Sequence, residues 1–503
     1  MGFTGLDYLI VVLYLAGIAI FGIRSAGKLT SANDYFLGGR DIPWWAVCFA
    51  IVATETSTLT FISIPGVAYL TNLSFLQVTF GYLLGRIAVS FLFLPAYAKG
   101  ELQTAYAFLG GRFGPRVRNI ASTTFMFTRL VADGVRLFAT AIPLAILLRG
   151  WNTLTWVSGE EIYIVSIVVM SIITLVYTYI GGVRAVIWTD VIQMFIYLGG
   201  AIAAAIVLIG EVSGGGRSVT AQIPPEKFSM FFAGFGGTWS DFFSKPYSLA
   251  GGLLGGAFLS MASHGTDHLI VQRLLTVRTL SGSRKALIGS GIIVIIQFAI
   301  FLGIGLLLYA FYHGAGLAEL GLLKADEIFP RFIIERIPTG LSGLIIAGLL
   351  AAAMSTLSGS VNSLASATMN DLYSPYFGKG NTEHKDLVMS RLFTLVWSAL
   401  LVGMAIFFIY NQSKVLVEVA LGVASFTYGG LLGLFLLGVL SKKVGETDAI
   451  IGFIAGIAVM IVVVEASTIG WTWYTIIGSS TTVLVGSLLR FLRNARPSPT
   501  TIR

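Results

Sequence analysis

Residues 53 to 66, ATETSTLTFISIPG, place Glu55, six hydroxyl side chains and the Pro65-Gly66 pair inside an apolar stretch running from Pro43 to Leu70. Successive hydroxyl and β-branched residues are poor helix formers that compete for backbone hydrogen bonds. The Glu55 to Thr60 region is therefore expected to unwind and free carbonyl oxygens, which are hard ligands suited to an alkali cation. A second stretch, LLAAAMSTLSGSVNSLASATMND at 349–371, sets Ala352, Ser355 and Thr356 at i, i+3 and i+4, so one carbonyl and two hydroxyls can face one point. With the carbonyls of Ala53 and Thr56 they make five neutral oxygens. Neutral oxygens suit a monovalent ion, because Ca²⁺ usually takes several carboxylates, and Na⁺ is the expected guest. The competing reading is that these hydroxyls and small residues serve only close helix packing.

Charged residues inside apolar segments raise a second question. In YTYIGGVRAVIWTDVIQM, 177–194, Asp190 lies two turns past Gly181-Gly182-Val183-Arg184, roughly 9 Å along a helix that rises about 1.5 Å per residue. Its charge needs a partner or water. It is either a helix-start acid favoured by the macrodipole or part of an ion or proton site. Arg129, Asp133 and Arg136, at i, i+4 and i+7, share one helix face. They form a salt-bridge ladder that braces the bundle, or a site in which a guanidinium fork grips a substrate carboxylate while Glu55 or Asp133 faces an amine or hydroxyl. His264 is read as a hydrogen-bonded packing residue or a proton relay. His268, His313 and His384 are expected near interfaces or in loops, and four scattered histidines make no metal cluster.

The elements that position these groups are membrane helices. The chain has 503 residues, 56% hydrophobic and 11% charged, with a mean hydropathy of +0.85, a composition foreign to soluble globules. Apolar runs of membrane length fall near 7–23, 43–70, 74–98, 119–148, 161–180, 185–211, 247–272, 286–312, 338–370, 389–410, 415–440, 447–467 and 472–490, thirteen in all. With the N-terminus outside, 21 of the 32 Lys and Arg residues fall in inside segments, among them Arg273. This asymmetry predicts an outside N-terminus and a cytoplasmic C-terminus. The net charge of +8 thus reflects topology and not a nucleic-acid partner. The first helix lacks the basic flank of a cleaved signal peptide and is expected to stay. The tail from 493 to 503 reads as a short disordered end. One cysteine, Cys48, excludes a disulfide framework and a thiolate-rich metal site. No zinc-protease pattern or nucleophile elbow lies in the helices, which argues against a membrane enzyme, and no repeated filter loops suggest a channel. The sequence sets no oligomeric state.

Four motifs in order, YFLGGR at 35–40, TSTLTFISIPG at 56–66, YTYIGGVRAVIWTD at 177–190 and DHLIVQR at 267–273, resemble the sodium:solute symporter family, and NSLASATMNDLY at 362–373 adds a fifth. The resemblance covers nearly the whole chain. It implies an all-α LeuT-type fold of two inverted five-helix repeats, 43–212 and 247–440, with a leading helix at 7–23 and two additional helices within 447–490. Each repeat should open with a discontinuous helix, at 53–66 and in SMASHGTDH, 260–268. The implied activity is Na⁺-driven import of a small solute across the plasma membrane, by alternating access and without an organic cofactor. The family's main Na⁺ site maps onto Ala53, Thr56, Ala352, Ser355 and Thr356. A second site resembles Asp190 with Ser355 and Ser358, but the hydroxyl expected next is Gly359. The resemblance and nearby polarity place solute contacts at Glu55, Ser57, Thr60, Thr79, Asp133, Arg136, Ser263 and His264. Sugar-transporting members carry aromatic residues where Ser263 and His264 stand and a lysine at Val294, so a sugar is disfavoured. Sialic acid transporters share the Ser57 and Thr60 arrangement but carry their carboxylate-binding arginine at the position of Ala132. The expected cargo is an organic anion or zwitterion. A sodium/sugar symporter and a transporter-like sensor are the alternatives.

Overall fold

A computed structural model describes residues 4–99, 102–149, 161–213, 219–411 and 414–495; the last eight residues of the expected disordered tail lie outside them. No strand occurs among the described residues. The main helices, in chain order, are α1 (Gly5–Ser25), α2 (Trp44–Glu55), α3 (Thr58–Leu70), α4 (Leu76–Leu92), α5 (Pro115–Arg149), α6 (Glu161–Ser213), α7 (Gly256–Gly265), α8 (His268–Leu275), α9 (Leu280–Phe311), α10 (Leu341–Ala367), α11 (Glu383–Tyr410), α12 (Lys414–Leu440), α13 (Glu446–Ala466) and α14 (Tyr474–Ala495). Eight helical segments among the described residues are long and apolar enough to cross a membrane. Three of the five missing spans have a plain cause: 43–70 and 247–272 are each built of helices too short to span alone, and the 52-residue run Glu161–Val212 counts once although it breaks within; the expected spans at 119–148 and 415–440 are not among the eight.

The break in α6 is at Gly182, with φ 55° and ψ −153°. A Cβ there would lie 2.3 Å from the Tyr35 carbonyl oxygen, so glycine is required both by conformation and by close approach. Tyr35 and its neighbours explain the YFLGGR motif. Its hydroxyl donates to the Thr178 carbonyl at 3.2 Å, and Gly38, Gly39 and Arg40 turn the chain at positive φ into α2.

The pillar of the bundle is α10. In the span that contains it, 94% of the most apolar window is buried, against 22–56% for the other spanning helices. Small side chains allow this: a Cβ on Gly348 would sit 2.9 Å from Tyr197 Cα of α6. Asp7 of α1 supplies the anionic cap for this pillar, accepting from Gly340 N at 2.8 Å, Gly343 N at 2.9 Å and Ser342 Oγ at 2.6 Å. Two expectations change at the end of the second broken helix. Arg273 is a buried member of α8 and not a cytoplasmic loop charge, because the helix runs on to Leu275. His268, expected near an interface, is fully buried, its Nε2 3.0 Å from Ser366 Oγ.

Candidate functional site

The first membrane-length run is two helices, not one. The ladder of α2 stops where Thr56 leaves helical geometry at φ −83° and ψ 103°, with its N–H returned to the Val52 carbonyl. Ser57 then caps α3 by accepting from Thr60 N at 3.2 Å. The break is therefore confined to Thr56 and Ser57. Pro65 and Gly66 continue α3. Their role is close packing: a Cβ on Gly66 would meet the Ala325 carbonyl oxygen at 2.7 Å, and one on Gly305 would meet the Pro65 carbonyl oxygen at 2.1 Å.

A second interruption lies inside the expected 260–268 stretch, between α7 and α8 at Thr266 and Asp267. Asp267 caps α8 through Leu269 N at 2.9 Å and also accepts from Arg129 Nε at 3.1 Å and Tyr428 Oη at 2.8 Å. Its partners come from α5 and α12, so the second break is fixed by ionic contact across the bundle.

The first break meets the pillar directly. Thr58 Oγ1 donates to the Leu349 carbonyl of α10 at 3.0 Å. Thr54 Oγ1 lies 3.4 Å from Asp190 Oδ2, and Ser355 Oγ donates to Asp190 Oδ1 at 2.6 Å. Ala53, Thr56, Ala352 and Ser355 are buried at 0 or 1% exposure, and Thr356 at 7%. Thr56 Oγ1 accepts from Gln297 Nε2 at 2.7 Å and donates to the Val52 carbonyl at 2.9 Å. Thr356 Oγ1 donates to the Ala352 carbonyl at 3.1 Å. Thus the two oxygen-bearing stretches are brought together as neighbours. Asp190 has a cationic partner that sequence spacing did not reveal, Arg273 of α8, at 2.9 Å. Ser358 Oγ turns onto the Ser355 carbonyl at 3.1 Å.

The charged face of α5 splits into two roles. Arg129, 7% exposed, is spent on Asp267, Asp133 and Tyr428. Arg136 is 34% exposed and bonds Asp133 at 2.9 Å, leaving part of its fork open. Asp133 also accepts from Ser360 Oγ of α10 at 2.6 Å. Arg136, Asp133, Ser57 and Thr356 line one narrow cavity of about 10 Å³, room for roughly one water, with Leu137, Thr140, Ala353 and Leu357. Solute candidates and candidate ion ligands therefore share a wall.

The remaining candidates are placed less evenly. Glu55 is ion-paired with Arg86 of α4, a fully buried arginine whose Nη1 also donates to Ser290 Oγ at 2.7 Å. His264 Nε2 is 3.6 Å from Glu55, and His264 Nδ1 is 2.8 Å from Ser263 Oγ. Ser57 and Thr60 hydroxyls are 3.2 Å apart. Thr79 is fully buried and donates to the Leu76 carbonyl of its own helix at 2.8 Å, so its hydroxyl is satisfied locally. Missed by sequence reasoning were Arg86, Asp267, Arg273, Gln297 and Tyr428. For Arg86, Asp267 and Arg273 the available signal was stoichiometric, since each charge in an apolar span demands an opposite charge somewhere; for the neutral Gln297 and Tyr428 the sequence carried none.

Two interrupted helices set against a buried, hydroxyl-rich pillar define a multi-pass membrane carrier of small solutes, not a soluble globule. The chain belongs to the sodium:solute symporter family, whose profile matches residues 35–456, and it is a sodium-coupled symporter. It is 28% identical over 493 residues to the sodium/sialic acid symporter NanT of Aliivibrio fischeri, covering 97% of this chain and 93% of that one. It is also 28% identical to the sodium/glucose cotransporter of Vibrio parahaemolyticus, covering 91% and 84%. A solved structure of a substrate-bound, outward-open Na⁺-coupled sialic acid symporter superposes with a TM-score of 0.84 at 27% identity, over 97% of this chain and 98% of that one. The transporter Mhp1 superposes with a TM-score of 0.53 at 12% identity, over 94% and 97%. That likeness extends to fold alone. The fold is the LeuT type.

Proposed function

We propose that the chain couples inward Na⁺ movement to import of a small organic anion or zwitterion: a carboxylate, an amino acid or a sugar acid. The carrying observation is Arg136, whose half-open guanidinium shares a cavity with Ser57 at the first break and Thr356 on the pillar. A planar fork suits a carboxylate, and its nearness to the hydroxyls couples solute and ion. Na⁺ binds between the carbonyls of Ala53 and Thr56 and the oxygens of Ala352, Ser355 and Thr356. It draws the interrupted helix onto α10 and completes the solute site; inward opening then releases both. The two five-helix repeats at 43–212 and 247–440 move against each other, in a plasma membrane with the N-terminus outside and the C-terminus in the cytoplasm. No organic cofactor takes part.

The driving force is sufficient. One Na⁺ gains about 2.3 kcal/mol from 100 mV and about 1.4 kcal/mol from a tenfold gradient, which supports roughly several hundredfold accumulation of a zwitterion. A monoanion moving with one Na⁺ would draw on the concentration gradient alone. The test is uptake into proteoliposomes under an imposed Na⁺ gradient, comparing carboxylates, amino acids, sugar acids and neutral sugars. Na⁺-dependent uptake of carboxylate-bearing solutes is expected. Uptake restricted to neutral sugars would refute the reading, and binding without flux would point to a sensor.

A further inference from the structure

Thr56 belongs to no helix, yet its carbonyl is one of the oxygens proposed above to bind Na⁺. It stands between α2 and α3 at ψ 103°, which turns that carbonyl out of the helical direction, and no donor among the described residues reaches it. A ligand outside the helical ladder needs something else to hold it. The N–H and the hydroxyl of Thr56 both return to the Val52 carbonyl, at 3.1 and 2.9 Å. The same hydroxyl oxygen accepts from Gln297 Nε2 of α9 at 2.7 Å, and Gln297 Oε1 accepts from Tyr197 Oη of α6 at 2.9 Å. Tyr197 Oη is also 3.3 Å from Thr56 Oγ1, which closes a triangle. Thr56, Gln297 and Tyr197 are at 1, 1 and 0% exposure. The donors run one way, from Tyr197 to Gln297 to Thr56 to Val52.

The triangle also touches the other half of the ion site. A Cβ on Gly348 of α10 would lie 2.9 Å from Tyr197 Cα, and Gly348 is one turn before Ala352. Tyr197 therefore packs its backbone on the pillar while its hydroxyl reaches the break. The spacing of the two oxygen-bearing stretches is set by a side chain that supplies no ion ligand. Uncharged groups suit this task, because in a buried site they fix a carbonyl without adding a charge that would attract or repel the ion. We infer that Gln297 and Tyr197 are positioning residues for Na⁺, which hold the Thr56 side chain so that the Thr56 carbonyl is preset toward the ion. Ligands ordered beforehand by outer hydrogen bonds bind more tightly than ligands that must be ordered on binding. This rests on the ion site of the symport reading and adds two residues outside it.

The test is ²²Na⁺ binding to the purified full chain in a double-mutant cycle. Thr56→Val removes the hydroxyl and keeps the backbone carbonyl, so it cuts the link and spares the ligand. Gln297→Met, close in volume, should raise the Na⁺ dissociation constant about tenfold, and Thr56→Val should do the same. The double variant should bind no more weakly than either single one. Thr56→Ser, which keeps the hydroxyl, should bind Na⁺ more tightly than Thr56→Val. In proteoliposomes Gln297→Met should raise the half-saturating Na⁺ concentration far more than it lowers maximal uptake, a split that general damage to the bundle would not produce. A folded Gln297→Met protein with wild-type Na⁺ affinity overturns the inference, and so do single effects that multiply in the double variant. Should Gln297→Met not fold, the hydroxyl decides: equal affinity in Thr56→Ser and Thr56→Val overturns the inference, and tighter binding by Thr56→Ser supports it. These outcomes leave symport standing, whereas a wild type that binds no Na⁺ would refute the ion site itself and this inference with it.

Discussion

Thr356→Ala is the sharpest probe of the proposed ion site, because the structure separates its effect on Na⁺ from its effect on the fold. The Thr356 hydroxyl donates only to the Ala352 carbonyl within its own helix, a back-bond whose loss costs the helix little. As an ion ligand it would count for much more. A hydrogen-bond-type contact to a charged partner contributes about 1.5–3 kcal/mol, and about 1.4 kcal/mol is a factor of ten. The half-saturating Na⁺ concentration should therefore rise about ten- to hundredfold, with thermal stability in the absence of Na⁺ close to wild type. Ser355→Ala provides the contrast. Its hydroxyl also holds the buried Asp190 at 2.6 Å, so this variant should show a similar rise in Na⁺ requirement together with a stability loss of about 1.5–3 kcal/mol. Both quantities come from two assays on one preparation: Na⁺ dependence of uptake in proteoliposomes, and thermal unfolding in detergent without Na⁺. Unchanged half-saturating Na⁺ in both variants would refute the ligand assignment, and a Thr356→Ala protein that is strongly destabilised would refute the separation of roles.

Arg136→Gln should weaken uptake of carboxylate-bearing solutes about tenfold or more, the loss expected when a charge-assisted fork is removed, while equilibrium Na⁺ binding without solute stays unchanged. Arg86→Gln strips the cation from Glu55. The cost should be about 3 kcal/mol, at the lower end for a broken buried pair because Glu55 is 18% exposed, and much of it should return in the double variant with Glu55→Gln. Gly182→Ala faces both a left-handed φ and the Tyr35 carbonyl. It should lose at least about 1–3 kcal/mol of stability, read as a fall in the melting temperature of the purified protein.

The interruption of the first long run was legible because hydroxyl and β-branched side chains follow one another there. Its position was legible as well, since the unwinding expected within Glu55 to Thr60 falls at Thr56 and Ser57. Pro65 and Gly66 look like the stronger breakers, yet the helix passes through them, since a glycine on a crowded face can serve approach instead of a turn. Local spacing put Arg129, Asp133 and Arg136 on one face, but could not tell which arginine is spent on structure. The answer depends on Asp267, 138 residues from Arg129 along the chain. Asp190 was recognised as a charge in need of a partner, whereas Arg273 was counted as a loop residue, because an apolar run ends in sequence before the helix ends in space. Pairings of this kind are set by tertiary approach, and one sequence read by itself carries only the demand for a partner.

The account turns on where Na⁺ sits. An experimental density map of the protein in Na⁺, compared with one in a Na⁺-free buffer, tests it most directly. The account predicts an added peak between the carbonyls of Ala53 and Thr56 and the oxygens of Ala352, Ser355 and Thr356. A peak elsewhere, with Na⁺-driven uptake intact in the same preparation, would contradict it.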